Sequence, residues 1–117
     1  MSKIIISAYL DFASEADRDR AVALTAPVQL ATREEEAGCL AYCFAADPAV
    51  HNRIQVYELW DGEEALALHF KHHTYEKMKE VLGSVGVVGT ENQMYLIARQ
   101  EPVYDADGNA REQFFTD

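Results

Sequence analysis

Residues 38–73, GCLAYCFAADPAVHNRIQVYELWDGEEALALHFKHH, decide the fold of this chain. Alternating side chains over residues 39–46 predict a strand, and a turn follows at Asp47, which precedes a proline. Residues 53–60 predict a second strand. A helix then begins after Asp61, whose side chain is placed to cap its first turn. The stretch therefore predicts a strand, a turn, a strand and a helix in succession.

The segment before this stretch predicts one more strand and one more helix. Residues 3–12 are rich in isoleucine and predict the first strand, and Ser14 is expected to cap the helix that follows. Pro27 is expected to kink or restart this helix because proline removes a backbone hydrogen bond. Gly38 is expected to end it in a left-handed conformation.

The segment after this stretch predicts the rest of the fold. Thr74 is expected to cap a continuation of the second helix. Three residues of this continuation share one apolar face, namely Tyr75, Met78 and Leu82. Residues 83–89 predict a glycine-rich loop, and residues 91–101 predict the last strand.

The resulting βαββαβ order is typical of an α+β protein with a ferredoxin-like sandwich and an antiparallel sheet. Both helices would cover one face of the sheet, yet the strands are apolar on both faces. In the first strand Ile4 and Ile5 point to opposite sides, as do Ile54 and Tyr57 in the third. The uncovered face needs a partner, and the simplest partner is a second copy. We therefore expect a homodimer that forms an α/β barrel.

The length of the chain, 117 residues, is that of a single domain. We expect this domain to occupy residues 1–102 and a C-terminal tail to occupy residues 103–117. Phe114 and Phe115 lie beyond the last core strand and predict that the tail docks, with the partner subunit as one possible surface. The alternative is a disordered tail.

The net charge of −10 limits the partners that the protein can have. Such an acidic surface repels phosphate backbones and anionic lipids, so we expect neither nucleic acid nor membrane binding. The apolar run near the N-terminus is too short to span a membrane and lacks the cleavage pattern of a signal peptide. These features predict a cytoplasmic protein.

The two cysteines, Cys39 and Cys43, are expected to share one face of a strand, with Cα atoms about 13 Å apart. A disulfide cannot close over that distance. We expect two buried free thiols, which suit a reducing compartment.

Neither the acidic run nor the histidines predict a metal site. Residues 34–36 are three glutamates that we interpret as a solvated helix face. His69, His72 and His73 are spaced as helix neighbours could be around an ion, but no cysteine or HExxH motif accompanies them. We therefore expect no metal and no cofactor.

Residues with reactive side chains converge on one predicted cavity. Glu58 and Trp60 share a strand face with Val56, and Tyr42 lies on the adjacent strand. His69 is expected to face the sheet, near Glu58. A buried carboxylate needs a partner, and His69 and Arg53 are the candidates for Glu58. His69 is favoured because Arg53 should point to the opposite face of the strand. Trp60 would form one wall of the cavity, although a core tryptophan is the more ordinary interpretation. For His69, an acid–base group and a core histidine are equally good interpretations.

Three short motifs occur in order here: EAGCLAY at residues 36–42, VYELW at residues 56–60, and ALALH at residues 65–69, with His73 beyond them. This pattern resembles the antibiotic biosynthesis monooxygenase (ABM) domain family of dimeric α/β barrels, over roughly residues 3–101. The resemblance implies a ferredoxin-like protomer, pairing through the sheets, and a pocket between the sheet and the helices.

The resemblance also implies a reaction, the cofactor-free oxidation of a phenolic, quinol or polyketide-like aromatic substrate by molecular oxygen. His69 would be the base and Glu58 would orient it. Tyr42 and Asn52 would donate hydrogen bonds, and Trp60 would stack on the substrate ring beside Val56. Two alternatives remain on the same scaffold, a non-catalytic or stress-responsive protein that binds a small ligand and an isomerase of a small metabolite.

Overall fold

The computed structural model describes residues 2–115 and contains four strands and three helices. Residues 116 and 117 of the predicted tail lie outside the described part. In chain order the elements are β1 (Ile4–Phe12), α1 (Glu15–Glu35), β2 (Cys39–Ala46), β3 (Arg53–Trp60), α2 (Glu63–His69), α3 (His73–Val85) and β4 (Val87–Leu96).

The four strands form one antiparallel sheet in the order β2-β3-β1-β4. Ile4 of β1 pairs with Trp60 of β3 on one side and with Leu96 of β4 on the other. The first and third strands are therefore central and the second and fourth lie at the edges. This order confirms the α+β, ferredoxin-like prediction.

One face of the sheet carries the core. Along β3, Ile54, Val56, Glu58 and Trp60 are all buried, whereas Tyr57 between them is 45% exposed. This alternation with a period of two residues assigns the first set to the face beneath the helices, as the sequence predicts.

The first helix begins as predicted, with the Ser14 hydroxyl oxygen accepting a hydrogen bond from the Asp17 amide at 3.1 Å. Pro27 lies inside the helix and does not restart it. The prediction for Gly38 is wrong. The helix ends at Glu35, its C-cap Glu36 is extended, and Gly38 does not have a positive φ. Gly38 is instead a point of close approach, because a Cβ there would overlap the Cβ of Ala65 on α2.

The predicted caps of the two later helices are wrong. Asp61 lies one residue before the actual cap of α2, and Thr74 lies two residues after the actual cap of α3. Gly62, with φ of 119°, precedes α2, and Asp61 makes no cap hydrogen bond there. His72 caps α3, where its Nδ1 accepts from the Thr74 amide at 3.3 Å. Thr74 therefore lies inside the helix.

The predicted loop at residues 83–89 is wrong as well. α3 continues to Val85, and Gly86, with φ of 99°, reverses the chain by itself. β4 therefore begins at Val87 and ends at Leu96, earlier at both ends than predicted. One glycine with a positive φ is enough for the reversal, so the neighbouring valines join the strand.

An irregularity in β2 separates the two cysteines. The register shifts between Cys39 and Ala41, which leaves Leu40 exposed and packs Cys39 against the core. Cys43 is exposed, and both thiols are free. The expectation that both are buried on one face is therefore wrong, because a bulge reverses the alternation of side chains.

The outer face of the sheet remains uncovered in the protomer. Tyr57 and Tyr95 on this face are 45% and 53% exposed, and Ile5 and Leu59 between them are partly buried. In the described part of the chain no helix is long and apolar enough to cross a membrane.

The C-terminal segment makes a small turn of its own. Tyr104 pairs with Ala110, and Gly108 in the turn has φ of 82°. Phe114 and Phe115 are 66% and 56% exposed in the protomer.

Candidate functional site

A cavity of about 600 Å³ lies between α3 and the inner face of the sheet. It exists because α3 packs mainly against α1, which leaves the space between α3 and β1 unfilled. The predicted apolar face of α3 points into it, with Tyr75, Met78 and Leu82 among its lining residues. Its volume lies in the range of small-molecule sites.

His69, the last residue of α2, lies at the end of this cavity and is 2% exposed. Its Nδ1 atom is 2.9 Å from Oε1 and 3.2 Å from Oε2 of Glu36. Burial lowers the pKa of His69, and the Glu36 carboxylate opposes this shift. The partner that orients His69 is therefore Glu36, whereas the sequence analysis expected Glu58.

The second ring nitrogen of His69 has no hydrogen-bond partner among residues 2–115. Within the same residues, no fully buried side-chain nitrogen or oxygen lacks a partner. The Nε2 atom must then touch the open cavity, which His69 lines. When Nδ1–H donates to Glu36, Nε2 carries a free lone pair, so His69 is arranged as a base.

Glu36 is a candidate site residue that was not predicted from the sequence. Its side chain is 7% exposed, although the expectation was a solvated acidic run. Glu34 and Glu35 are exposed and fit that expectation. The hydroxyl of Thr74 donates to Glu36 Oε2 at 2.8 Å, so the buried carboxylate has two side-chain partners. The signal in the sequence was its place as the first residue of the EAGCLAY motif.

Glu58 lines the cavity and is 7% exposed. Its Oε1 accepts a hydrogen bond from Nε1 of Trp60 at 3.0 Å. Burial raises the pKa of Glu58 to about 7, with the Trp60 bond opposing the shift and the charge of Glu36 adding to it. A carboxyl that titrates near neutral pH inside a cavity can either accept or donate a proton.

Trp60 does not form a wall of the cavity. It is fully buried, and its ring lies against the imidazole of His69, with centroids 4.3 Å apart and planes at 31°. The predicted stacking on a substrate is therefore wrong, because His69 stands between the indole and the open space. Trp60 instead packs against the imidazole ring of His69, and its N–H donates a hydrogen bond to Glu58.

The other predicted site residues divide between the cavity and its surroundings. Tyr42 pairs with Glu58 across the strands, and its ring lines the cavity together with Val56. Burial first, and then the nearby carboxylates, raise the pKa of Tyr42, so its hydroxyl stays protonated. Asn52 is not in the cavity: its Nδ2 donates to the carbonyl of Phe12 at 2.8 Å and closes the turn before β3.

A family model described as antibiotic biosynthesis monooxygenase matches residues 4–81, more than half of the chain. The chain belongs to this ABM family. The motif residues that carry the resemblance, Glu36, Tyr42, Glu58, Trp60 and His69, all meet at one end of the cavity in this ABM domain. A comparison with curated protein sequences finds no significant match.

Solved structures share the fold of this ABM domain. A Deinococcus radiodurans protein that carries the family name is 20% identical, with a TM-score of 0.75, and the match covers 87% of this chain and 99% of that one. A Caulobacter crescentus protein with the same name is 17% identical, with a TM-score of 0.75 and coverages of 84% and 92%. A monooxygenase from Streptomyces coelicolor, solved in complex with the ligand nanaomycin D, is 19% identical, with a TM-score of 0.70 and coverages of 86% and 92%.

Polar residues of the ABM cavity that the sequence analysis did not select lie on β4. Asn92 pairs with Ala8, and Thr90 pairs with Leu10, so both face the helices, and both line the cavity. Lys79 of α3 also lines the cavity. The cavity therefore has one end that is lined by His69 and Glu58 and a separate polar side along β4.

Proposed function

We propose that this ABM-family protein is a cofactor-independent monooxygenase that oxidises a phenolic, quinol or polyketide-like aromatic substrate with molecular oxygen. The main support for the proposal is the arrangement around the two ring nitrogens of His69. Its Nδ1 is held by the buried carboxylate of Glu36, and its Nε2 is open to a cavity with apolar and aromatic walls. This arrangement suits the removal of a proton from a flat, weakly acidic substrate.

In the first step Nε2 of His69 takes the proton of the substrate hydroxyl. Burial lowers the pKa of His69, so the ring is neutral and ready to accept a proton at neutral pH. The imidazolium that forms donates through Nδ1 to Glu36, whose negative charge stabilises it. The substrate is left in the cavity as an electron-rich anion.

The anion then reduces oxygen without a metal or a flavin. One electron passes from the anion to O₂, and the resulting radical pair combines to give a carbon–oxygen bond and a peroxide anion. His69 returns its proton to the peroxide. Loss of the ring C–H proton and cleavage of the O–O bond release one oxygen atom as water, so a phenol and O₂ become a quinone and H₂O. All four electrons that reduce O₂ come from the substrate.

Glu58 and Tyr42 supply the remaining proton chemistry. With a pKa of about 7, Glu58 is present in both forms at neutral pH and can receive the C–H proton or deliver it to the departing oxygen. The protonated Tyr42 hydroxyl, which interacts with the Thr32 side chain, would turn to donate to the anionic substrate oxygen. The largely apolar walls confine the radical pair.

The proposal includes a homodimer that pairs through the outer faces of the two sheets. Tyr57 and Tyr95 with Ile5 and Leu59 form an apolar outer face in the protomer, and such a face is more often an interface than a solvated surface. Residues 1–102 would form the domain, and the tail would dock with Phe114 and its neighbour on the partner subunit. A cytoplasmic location fits the two free thiols.

The test is oxygen uptake with a panel of quinols and anthrone-like compounds, in buffer that is free of flavin and treated with a chelator. We expect turnover by the native protein and a loss of about 100-fold or more in kcat for His69→Asn. Asparagine retains a donor for Glu36 but has no basic nitrogen. His51→Ala, which changes an exposed histidine, is the matched control. Binding of the panel without any oxygen uptake would overturn the proposal in favour of a ligand-binding protein.

An isomerase is the second candidate, because His69 and Glu58 place two proton-handling groups on one cavity. Two such groups can remove a proton from one carbon and return it to another. This reaction consumes no oxygen. Conversion of a substrate with unchanged mass, under both air and nitrogen, would favour the isomerase over the monooxygenase.

A further inference from the structure

A second cluster of possible ligands lies on the surface, where the end of α1 meets the turn between α2 and α3. Glu35, His72 and His73 each offer one ligand atom, and these three atoms all lie within 4.8 Å of one another. The Nε2 atom of His73 is 2.6 Å from Glu35 Oε1, and the Nε2 atom of His72 is 3.8 Å from the same oxygen. His69, which the sequence analysis grouped with these histidines, is not part of the cluster, because its Nδ1 is bound to Glu36.

The spacing of these atoms fits a small divalent ion. An ion with bonds of about 2.0–2.1 Å to nitrogen and oxygen holds tetrahedral ligand atoms roughly 3.3 Å apart. The distance from Nε2 of His73 to Glu35 Oε1 is shorter than that value, and the distance from Nε2 of His72 is longer. The side chains of His73 and Glu35 are 71% and 44% exposed, so they can adjust, whereas His72 is 28% exposed.

His72, the least exposed of the three ligands, is positioned by a hydrogen-bond network through the Nδ1 atom of its ring. Its Nδ1 is 3.0 Å from the hydroxyl of Thr74, and that hydroxyl donates to the buried Glu36 at 2.8 Å. An ion at Nε2 places the ring proton on Nδ1, where the Thr74 oxygen accepts it. In that tautomer Nδ1 no longer accepts the 3.3 Å hydrogen bond from the Thr74 amide that caps α3. Metal-binding histidines commonly use the other ring nitrogen in this way.

We propose that Glu35, His72 and His73 bind one divalent transition-metal ion of the zinc class, through one carboxylate oxygen and two Nε2 atoms, with water in the fourth position. Imidazole and carboxylate together favour such ions, whereas Mg²⁺ and Ca²⁺ prefer sites made of oxygen. The site lies outside the cavity and does not depend on the proposed oxidation.

The test is isothermal titration of the untagged chain with Zn²⁺. We expect one ion per chain, and we expect His73→Ala and Glu35→Gln each to weaken binding about tenfold or more. His51→Ala is the control and should bind as the native chain does, because His51 is exposed and remote from the cluster in sequence. Both changed ligands are exposed, so the fold should survive, and the melting temperature without metal verifies this.

Three titration results would overturn the proposal. The first is an unchanged Zn²⁺ affinity in His73→Ala. The second is Mg²⁺ binding as tight as Zn²⁺ binding, which would indicate a general acidic surface. The third is half an ion per chain together with a doubled mass, which would indicate an ion bridging two chains. As an independent measurement, Co²⁺ should broaden the ring NMR signals of His72 and His73 before that of His51, and equal broadening of all three would also refute the site.

Discussion

The Nδ1 atom of His69 lies 2.9 Å from Oε1 of Glu36, although 33 residues separate the two in the chain. The contact joins the last residue of α2 to the C-cap residue of α1, and both side chains are buried. The proposed base and the carboxylate that would orient it therefore lie at the ends of two helices. Sites built on helices hold their side chains more precisely than sites built on loops.

The first prediction concerns Glu36→Gln. Glutamine retains an oxygen that can accept from His69 but carries no charge, so the imidazolium loses its charge-assisted hydrogen bond. Such bonds exceed neutral ones by about 1–2 kcal/mol, and we expect kcat for substrate oxidation to fall about tenfold or more with little change in KM. Glu34→Gln, an exposed neighbour, is the control. Equal kcat values for the two variants would show that Glu36 has no role in the reaction.

The second prediction concerns the dependence of stability on pH. The pKa of Glu58 is about 7 in the folded protein, above the ordinary value of 4.5. Because the folded state binds the proton more tightly, the stabilising contribution is complete below about pH 4.5 and is lost as the pH rises through 7. The full change is about 3 kcal/mol. His69, whose pKa is lowered, acts in the opposite sense, so the native curve alone does not isolate Glu58.

Glu58→Gln separates the two contributions. The amide oxygen still accepts from Trp60, but the side chain no longer titrates. The free energy of unfolding of the native protein, measured relative to this variant by urea denaturation, should therefore decrease between pH 4.5 and pH 7.5. A difference that stays constant over this range would mean that Glu58 titrates normally.

The alternation of side chains made most of the sheet predictable from the sequence. In β3 it assigned Val56, Glu58 and Trp60 to the inner face, and the structure agrees. The alternation does not predict which neighbouring groups each inner side chain contacts. Whether Trp60 faces a cavity or His69 depends on where α2 crosses the strand, and this crossing is a tertiary feature.

The role of Glu36 could not be predicted for a related reason. A run of three glutamates at the end of a helix is ordinarily solvated, and two of the three are. Only the extended conformation of Glu36 turns its side chain inward to meet His69 and Thr74. Sequence patterns locate helix ends only to within a few residues, and a shift of one residue decides which glutamate is buried.

The third prediction compares two glycines. A Cβ at Gly38 would overlap the Cβ of Ala65, so Gly38→Ala should push β2 and α2 apart and destabilise the protein by about 1–3 kcal/mol. Gly83 lies in α3 with open space around it, and Gly83→Ala should stabilise the protein by about 0.5–1 kcal/mol. Thermal unfolding measures both changes. Equal effects of the two substitutions would contradict the close packing at Gly38.

The fourth prediction tests the proposed dimer. Tyr57 is 45% exposed on the outer face of the sheet, and in a dimer paired through that face it would be buried. Tyr57→Glu would then place an unpaired charge in an apolar interface, which costs several kcal/mol and should convert the dimer to a monomer. Leu68→Glu changes a 63% exposed side chain on α2, away from the sheet, and should leave the mass unchanged. Light scattering at matched concentrations measures both. If Tyr57→Glu keeps the native mass, or if the native protein is a monomer, then the outer face is not the interface between subunits.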